Sequence, residues 1–353
     1  MTLLFSGVGS FTGIHPFLLV ALACGLDRLV GDPRWCPHPV VVMGWLISRL
    51  RSLAEGWAGD SPRRLRLAGG LITMLLVGGS GAVGWAVERL ALGMSAGVAS
   101  TLPLLVIALA SALAGRSLAQ AVRAVLAALA AGELPLARQR LSWIVGRDTE
   151  GLEAPDILRA AAETASENAV DGLFAPLFWM LLGAALWSAG CTQAPGPLAL
   201  AWGFKAASTL DSMLGYRRGR LRWLGTAGAR LDDLLVWLPC RLVLLSLPLA
   251  AGMGPRACWH AAAAARRDGA NDPSPNAGRS QAIYAHCLGV QLGGLNHYQG
   301  QARPKPLLAM GGRAADAAAV ERMLQLSGRL ALIWQLGAGL LMAALPRLLP
   351  AQG

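Results

Sequence analysis

Three acidic residues, each four positions after the last, stand directly before one of the most apolar runs of the chain. They are Glu163, Glu167 and Asp171, in the stretch "AAETASENAVDG". A helix places such residues on one face, where like charges repel each other by roughly 0.2–0.5 kcal/mol per pair. A bound cation or a cationic neighbour would offset this repulsion, and Mg²⁺ prefers carboxylates together with substrate phosphates. The spacing predicts a magnesium site, with a solvated helix face as the alternative.

Two further stretches place acids beside basic residues. "STLDSMLGYRRG" carries Asp211 at the end of a moderately apolar helix that also holds Lys205. "GARLDDLLVWLPCR" carries Asp232 and Asp233 shortly after Arg230. Because adjacent side chains on a helix point in different directions, one aspartate can face a metal while the other pairs with an arginine. Salt bridging alone is the alternative for this pair.

Prolines and glycines shape two polar loops. "DPSPNAG" contains Ser274, Asn276 and Gly278 in a turn whose amides could cradle a phosphate, with a helix expected soon after it. "GDPRWCPHPV" holds Asp32 and His38 among prolines that make the loop rigid. A single histidine in such a loop is more often a structural partner than a catalyst. Both loops are candidate binding segments.

The composition is that of a membrane protein. The chain has 353 residues, of which 54% are hydrophobic and only 14% charged, with a mean hydropathy of +0.48. Soluble domains carry about 25% charged residues. Seven apolar runs approach the roughly 20 residues that a bilayer requires. They lie near residues 14–30, 67–90, 101–118, 173–190 and 330–349, with less clean ones near 197–213 and 234–252.

These runs predict an all-α, polytopic integral membrane protein with about five to seven membrane helices. Residues 1–353 are expected to form a single membrane-embedded domain without a separate soluble part. The chain has no Lys or Arg before residue 28, so its start does not resemble a signal peptide with a basic first region.

Arginines supply nearly all of the formal net charge of +11 and set the expected orientation. By the positive-inside rule, the arginine-rich segments belong to the cytoplasmic side of the cell (inner) membrane. These inner-face segments are 31–66, 116–172, 214–233 and 254–328, and the polar site should lie among them.

The run 234–252 conflicts with this orientation. A simple crossing there would place 254–328 outside, and the run contains Pro239 and Arg241. A central arginine costs roughly 2.5–3.5 kcal/mol on insertion. We therefore expect a broken, partly inserted or protein-buried helix in place of a simple crossing.

Several other functions are disfavoured. No basic stripe with interleaved aromatic residues indicates nucleic acid, and the histidines and cysteines lack zinc-ligand spacing. The six cysteines are scattered and are expected to be packing residues in a reducing compartment.

The acids and arginines favour one reaction class. Nucleotide-dependent phosphoryl transfer uses acids to bind magnesium and arginines to bind phosphate, although neither a Walker A motif nor G-x-G-x-x-G is present here.

Taken together, the motifs resemble the adenosylcobinamide-phosphate synthases of cobalamin biosynthesis. The matching stretches follow the family's order over about residues 20–300. They are "GDP" with "HPV" and "MG", "VGRDT", "ETASENAVDGLFAPLFW", "TLDSMLGY", "ARLDD" with "LPCR", and "SPNAG" followed by "LGVQLGG". Ser208, Val236 and Cys240 depart from the family's pattern, as does "RSQAIYAHC" after "SPNAG".

The resemblance implies a membrane-embedded amide ligase. It would join the remaining free propionate carboxylate of adenosylcobyric acid to aminopropanol phosphate, or to a related free aminoalcohol. ATP, as a substrate, and Mg²⁺ would drive the step, and the corrinoid would be the second substrate. The lipid bilayer and other late membrane enzymes of the pathway are the expected partners.

The resemblance also implies roles for the acidic and basic residues. The expected catalytic residues are Glu163, Glu167, Asp171 and Asp211, and the expected metal ligands are Glu163, Glu167, Asp171 and Asp232. Binding of phosphate or substrate is expected of Arg147, Lys205, Arg230, Ser274, Asn276, Gly278, Asp32 and His38.

Two alternatives come from other functional classes. A non-catalytic membrane sensor or regulator of the same superfamily, of the β-lactamase-induction type, would have no need to keep all of the acids. A transporter would show broken helices in corresponding halves, and the sequence has no internal repeat to indicate them.

Overall fold

The computed structural model describes residues 15–32, 38–93 and 98–348. In these ranges the chain is mostly helical, with one β-hairpin. The elements in chain order are α1 (Pro16–Leu29), α2 (Pro39–Ala58), α3 (Pro62–Gly93), α4 (Val98–Ala110), α5 (Gly115–Ala130), α6 (Leu134–Ser142), α7 (Ala154–Ala169), a π-helical turn (Val170–Phe174), α8 (Ala175–Ser188), α9 (Pro197–Leu214), α10 (Leu221–Leu224), α11 (Thr226–Ala250), α12 (Pro255–Asp268), a 3₁₀ turn (Gly269–Asn271), α13 (Ala277–Leu288), β1 (Leu292–Tyr298), β2 (Gln301–Leu308) and α14 (Ala317–Leu348).

Local sequence explains many of the helix ends. Helices α1, α2, α9 and α12 each begin with a proline in the first turn, where no intrahelical N–H bond is lost and the fixed φ suits the helix. Gly59 and Gly289 stand just beyond the ends of α2 and α13 with positive φ values of 55° and 63°. The stretch "GELPLA" separates two helices, because α5 ends at Ala130 and α6 begins at Leu134.

The chain divides into two compact units, each built from separate stretches of sequence. The first unit comprises residues 1–114, 175–235 and 334–353. The second comprises residues 115–174 and 236–333.

Helix α3 packs along α9 in the first unit through small residues. A Cβ atom on Gly84 would lie 2.8 Å from the Cα of Ala199, so only glycine permits this approach. The small residues of "GGSGAVG" thus permit close packing of the two helices. Beside it, α2, α3 and α9 share a core that includes Ile47, Leu65 and Leu210.

The second unit is built around α7 and α13. Helix α7 buries Ile157 and a run of alanines, which lets neighbouring helices approach closely, and α13 buries Tyr284 completely. The antiparallel strands β1 and β2 pair beside them. The hairpin was not expected from the sequence because it contains Gly293, Gly294 and two prolines, which are residue types depleted in strands.

Fewer helices meet the length and composition of a membrane span than the sequence predicts. Among the described residues they are Pro62–Leu92, Ala154–Ser188 and Thr226–Ala250, with a bent pair, Thr101–Ala110 and Gly115–Ala130, as a further candidate. Helices α1 and α4 have 14 and 13 residues, which is less than the roughly 20 that a bilayer needs. Several helices are thus long and apolar enough to cross a membrane, while the count of five to seven stays a prediction. Of the expected runs, residues 14 and 349 lie outside the described part of the chain.

Helix α11 is continuous, although Pro239 and Pro248 lie within it. The break that the sequence allowed in 234–252 is therefore not found. Arg241 donates hydrogen bonds to the Asn276 side chain and to the Pro275 carbonyl, the latter at 3.0 Å. Protein groups thus satisfy the arginine that makes a simple crossing costly.

Candidate active site

Glu163 is the centre of a buried polar network in the second unit. Its side chain is 1% exposed and accepts hydrogen bonds from Arg147, which is itself 7% exposed, and from Arg159 at 3.4 Å. The backbone N–H of Gly293 donates to the same carboxylate at 2.9 Å. The cationic neighbour that the sequence required for this acid is therefore a pair of arginines.

The two arginines also hold the hairpin. Arg147 donates to the Asn296 side-chain oxygen at 2.7 Å, and Arg159 donates to the same atom at 3.1 Å. Arg159 reaches the Gly293 and Leu295 carbonyls as well, at 2.9 and 3.2 Å. Since its donors are used in this way, Arg147 is better suited to fixing β1 against α7 than to neutralising a phosphate, which was its expected role.

The hairpin approaches α7 closely because of its glycines. Gly293 has φ +84°, and a Cβ atom there would lie 1.9 Å from the Pro306 carbonyl oxygen. The strand register shifts between Leu292 and Gly294, so the ladder is irregular at this point. Glycine at position 293 is therefore what permits the close backbone approach.

A second group of charges surrounds Glu167, one helical turn after Glu163. The Gln281 side-chain amide donates to Glu167, and the ammonium nitrogen of Lys305 lies 3.8 Å from the Asp272 carboxylate. Burial alone lowers the pKa of Lys305, but the charges of Glu167 and Asp272 outweigh it and hold that pKa above its usual value. Lys305 is thus a charged, largely buried ammonium group that pairs with Asp272 and lies in the field of Glu167.

Asp171 lies beyond a change of helix geometry. It falls in the π-helical turn Val170–Phe174, whereas Glu163 and Glu167 lie in the regular α-helix. Within the ranges that the structure describes, no three His, Cys, Asp or Glu side chains lie close enough to share a metal ion. The regular stacking of three acids assumed an uninterrupted α-helix, and the π turn interrupts it.

The "DPSPNAG" loop is largely occupied by its own hydrogen bonds. The Ser274 N–H donates to Asp272 at 2.9 Å, and the N–H groups of Asn276 and Ala277 donate to the Ser274 hydroxyl at 3.3 Å each. The helix expected after the loop is confirmed, since α13 begins at Ala277. Gly278 is buried where a Cβ atom would lie 2.8 Å from the Gly269 carbonyl oxygen. Several amides proposed for phosphate therefore stabilise the turn itself.

Four of the expected residues lie on two helices of the first unit. Lys205 and Asp211 are half-buried on α9, whereas Asp232 is buried and Arg230 exposed on α11. Gly215 leaves room for Asp211, because a Cβ atom there would lie 2.0 Å from the aspartate oxygen. Their predicted contacts with metal and phosphate stay predictions.

Asp32 and His38 are also in the first unit, where they form a local pair. The His38 ring nitrogen Nε2 lies 3.1 Å from Asp32, and Nδ1 accepts the Val40 N–H at 3.3 Å. His38 therefore caps the start of α2, in agreement with a structural role. The intervening residues 33–37, which include Cys36 and part of the "GDP…HPV" match, lie outside the described residues.

Five residues of the second-unit network were not expected from the sequence. The sequence could have indicated Arg159, since it precedes Glu163 by four positions on the same helix and such residues can pair. Composition could have indicated Lys305, because it is one of only two lysines in the chain. Asp272, Gln281 and Asn296 carry no such signal, because the fold brings them to α7 from more than a hundred positions away.

The network unites four of the quoted motifs. Arg147 comes from "VGRDT", Glu163 and Glu167 from the "ETASEN" stretch, Asp272 from the "DPSPNAG" loop and Gly293 from "LGVQLGG". We shall call these residues, with Arg159, Gln281, Asn296 and Lys305, the α7 polar cluster.

Comparison with known proteins decides the family. The CobD/Cbib protein family matches residues 20–327. The chain belongs to the CobD/Cbib protein family. All residues of the α7 polar cluster fall within the matched range, and so do all the candidate site residues of the first unit.

Members of the family resemble this chain over most of their length. The cobalamin biosynthesis protein CobD of Synechocystis sp. is 44% identical over 330 residues, covering 93% of this chain and 92% of that protein. The CobD protein of Pelobacter propionicus is 40% identical over 310 residues, with 87% and 90% covered. The cobalamin biosynthesis protein CbiB of Salmonella arizonae is 38% identical over 305 residues, with 86% and 91% covered. No solved structure matches the chain.

Proposed function

We propose that this chain is a cobalamin-biosynthesis enzyme that forms adenosylcobinamide phosphate. It would join the free propionate carboxylate of adenosylcobyric acid to aminopropanol phosphate, or to a related aminoalcohol, at the expense of ATP. The observation that carries the proposal is the α7 polar cluster, in which three motifs of the family, "VGRDT", "ETASEN" and "LGVQLGG", meet around Glu163 and Glu167. We further propose a multi-pass protein of the inner membrane with this site on the cytoplasmic side.

The cluster supports a division of roles between its two acids. Glu163 has an arginine on each side and a backbone amide, so its charge is compensated. Glu167 has a hydrogen bond to Oε2 only, and Oε1 has no hydrogen-bond partner in the described part of the chain. Glu163 would stabilise the fold by linking α7 to the hairpin, and Glu167 would contact the substrates.

Two hydrogen-bond donors in the cluster are available to bind a ligand. Within the described residues, the Asn296 side-chain nitrogen is buried without an acceptor, which costs about 1–3 kcal/mol unless a bound group satisfies it. Lys305 has an ion pair at 3.8 Å and no hydrogen bond in the same part of the chain. Oxygen atoms of a phosphate or a carboxylate are the groups that these donors would bind.

The expected chemistry needs such groups. A carboxylate is a poor electrophile, so transfer of the terminal phosphoryl group of ATP to it would give an acyl phosphate and ADP. The amine nitrogen would then form the C–N bond and expel inorganic phosphate. Lys305 would stabilise the phosphoryl oxygens, and Glu167 would take the proton that the attacking ammonium must lose.

The residues fit a magnesium ion that takes only one or two ligands from the protein. Three protein carboxylates do not gather in the described chain, but Mg²⁺ commonly uses one or two carboxylates and completes its shell with phosphate oxygens and water. Glu167 and Asp272, which flank Lys305, would be the protein ligands. A bound Mg²⁺ would neutralise charge on the phosphates of ATP. Asp171, Asp211 and Asp232 stay further proposed ligands or catalytic groups.

Reconstitution tests the proposal directly. The purified protein in nanodiscs would be supplied with adenosylcobyric acid, aminopropanol phosphate, ATP and Mg²⁺, and the products identified by mass spectrometry. We expect the amide product and one ADP per amide, both lost when either corrinoid or amine is left out. Absence of amide and of ATP turnover would reject the enzyme and favour a non-catalytic regulator.

A further inference from the structure

Two arginine-rich segments of the first unit come together beside a candidate membrane span. Residues 49–66 contain five arginines against Glu55 and Asp60, and residues 217–222 contain four arginines and no acid. Arg220 donates to Asp60 at 2.7 Å, and Arg66 stacks on Trp223 at 4.3 Å. We call these two segments the basic collar. Helix α3, which is long and apolar enough to cross a bilayer, begins within the collar at Pro62.

A polar cavity of about 500 Å³ opens in the collar. Arg51, Arg220, Ser48 and Ser52 line it together with Glu55. Arg51 uses its Nε to bond Glu55 at 2.8 Å, and Arg220 uses its Nε to bond Asp60. In the part of the chain that the structure describes, the four terminal guanidinium nitrogens have no protein acceptor. Guanidinium N–H groups and hydroxyls facing one cavity match the oxygens of a phosphate group.

An apolar ladder winds along α2. Val41, Trp45, Leu53 and Trp57 are 69%, 57%, 71% and 57% exposed, and this row of every fourth residue turns around the helix by about 40° per step. Val41 and Trp45 are therefore on the side of α2 that carries Ser48 and Ser52 of the cavity, whereas Trp57 is on a different side. Arg49 lies in the same row and stacks on Trp45 at 5.7 Å, while Arg64 stacks on Trp57 at 5.8 Å. A helix with exposed apolar residues, tryptophans and arginines is typical of one that lies in the interface of a membrane.

We propose that the basic collar and α2 form a binding site for an anionic phospholipid. The phosphate of the head group enters the cavity between Arg51 and Arg220, and the acyl chains lie against Trp45 and Val41 of the ladder. A juxtamembrane cluster of arginines attracts anionic head groups in this way. A soluble phosphate compound would leave the exposed ladder without a partner, so lipid fits both halves of the surface.

Native mass spectrometry of the delipidated full chain tests this site. The protein would be titrated with phosphatidylglycerol and, separately, with phosphatidylcholine. We expect tighter binding of phosphatidylglycerol, weakened by added salt. Arg51→Gln/Arg220→Gln should weaken it about thirtyfold, since each of the two arginines near a membrane surface contributes on the order of 1 kcal/mol. Arg49→Gln/Arg64→Gln, which leaves the cavity's ion pairs intact, should also weaken it, so a folding defect of the first variant does not decide the result.

A matched control removes the same charge elsewhere. Arg266 and Arg267 are exposed at the end of α12, and Arg266→Gln/Arg267→Gln should leave phosphatidylglycerol binding unchanged. An equal loss of phosphatidylglycerol binding in this control, or equal binding of the two lipids, would overturn the proposal. The arginines of the collar would then only set the orientation of the chain in the membrane. Displacement of bound lipid by ADP or inorganic phosphate would overturn it too, because the cavity would then belong to a soluble substrate.

Discussion

Glu163 and Glu167 are one helical turn apart, yet their surroundings differ. Glu163 is enclosed by two arginines and a backbone amide, and it links α7 to the hairpin. Glu167 shares its surroundings with a lysine and another acid. A sequence pattern that treats the two alike therefore identifies the right positions but not their different roles.

Replacing Glu163 should destabilise the protein. Glu163→Gln leaves Arg147 without its buried counter-charge, while Arg159 keeps Asp156 at 3.0 Å, and we expect the free energy of unfolding to fall by about 3–5 kcal/mol. Chemical unfolding in detergent, followed by tryptophan fluorescence, measures this. Glu153→Gln is the control, because its 70%-exposed carboxylate pairs with Arg138 at the surface and should contribute about 0–1 kcal/mol. Equal losses in the two variants would contradict the framework role of Glu163.

Replacing Lys305 should impair the reaction more than the fold. Lys305→Gln removes the donor proposed for phosphoryl oxygens, and we expect the rate constant for amide formation to fall by about 10²–10³-fold. Lys305→Arg keeps the charge and should recover part of the rate. Single-turnover kinetics at equal amounts of folded protein measure both variants. A wild-type rate for Lys305→Gln would remove this residue from the site.

The β-hairpin is the element that the sequence does not predict and on which the cluster depends. It carries Gly293, Asn296 and Lys305 to α7, although its glycines and prolines disfavour strand pairing. The helix after "DPSPNAG" was predicted from the residues of the turn itself, and α13 begins there at Ala277. The hairpin depends on contacts with Arg147 and Arg159, which no local pattern contains.

Gly293→Ala should loosen the hairpin. The new methyl group would collide with the Pro306 carbonyl at a backbone conformation that alanine avoids, and we expect a loss of about 1–3 kcal/mol in the free energy of unfolding. Gly254→Ala is the control, since a Cβ atom at Gly254 meets nothing within 4 Å. Hydrogen exchange of the β1 amides reports the local effect. Unchanged exchange in Gly293→Ala would contradict the close approach seen at this strand.

Lowering the pH should break the hydrogen bonds that hold the tip of the hairpin to Asp148. The Gly300 and Gln299 amides donate to Asp148 at 2.7 and 2.9 Å and hold its pKa below the usual value. A lowered pKa in the folded state means that the contact stabilises the fold above the unfolded pKa of about 3.9 and is lost as the pH falls through the folded value. We expect the protection of the Gln299 and Gly300 amides, measured as the exchange rate relative to the intrinsic rate at each pH, to fall below about pH 4. Asp148→Ala should show that low protection at neutral pH as well, and full protection in this variant would refute the tether.

At the scale of the whole molecule, composition and motif order predicted more than the individual spans did. Membrane character follows from sheer apolar content, and family membership follows from motifs over most of the chain. The number of membrane helices was harder to predict, because α1 and α4 are short and because Ala154–Ser188 runs without a break through a π turn into the polar cluster. Helix length depends on tertiary packing, which hydropathy alone does not contain.

The central claim is that the α7 polar cluster performs amide ligation, and Glu167 is its most direct test. The measurement is the single-turnover rate of adenosylcobinamide phosphate formation by Glu167→Gln, with unfolding monitored in the same preparation. We predict that product formation falls below detection while the midpoint of thermal unfolding stays near that of the wild type. A variant that forms product at the wild-type rate would contradict the claim.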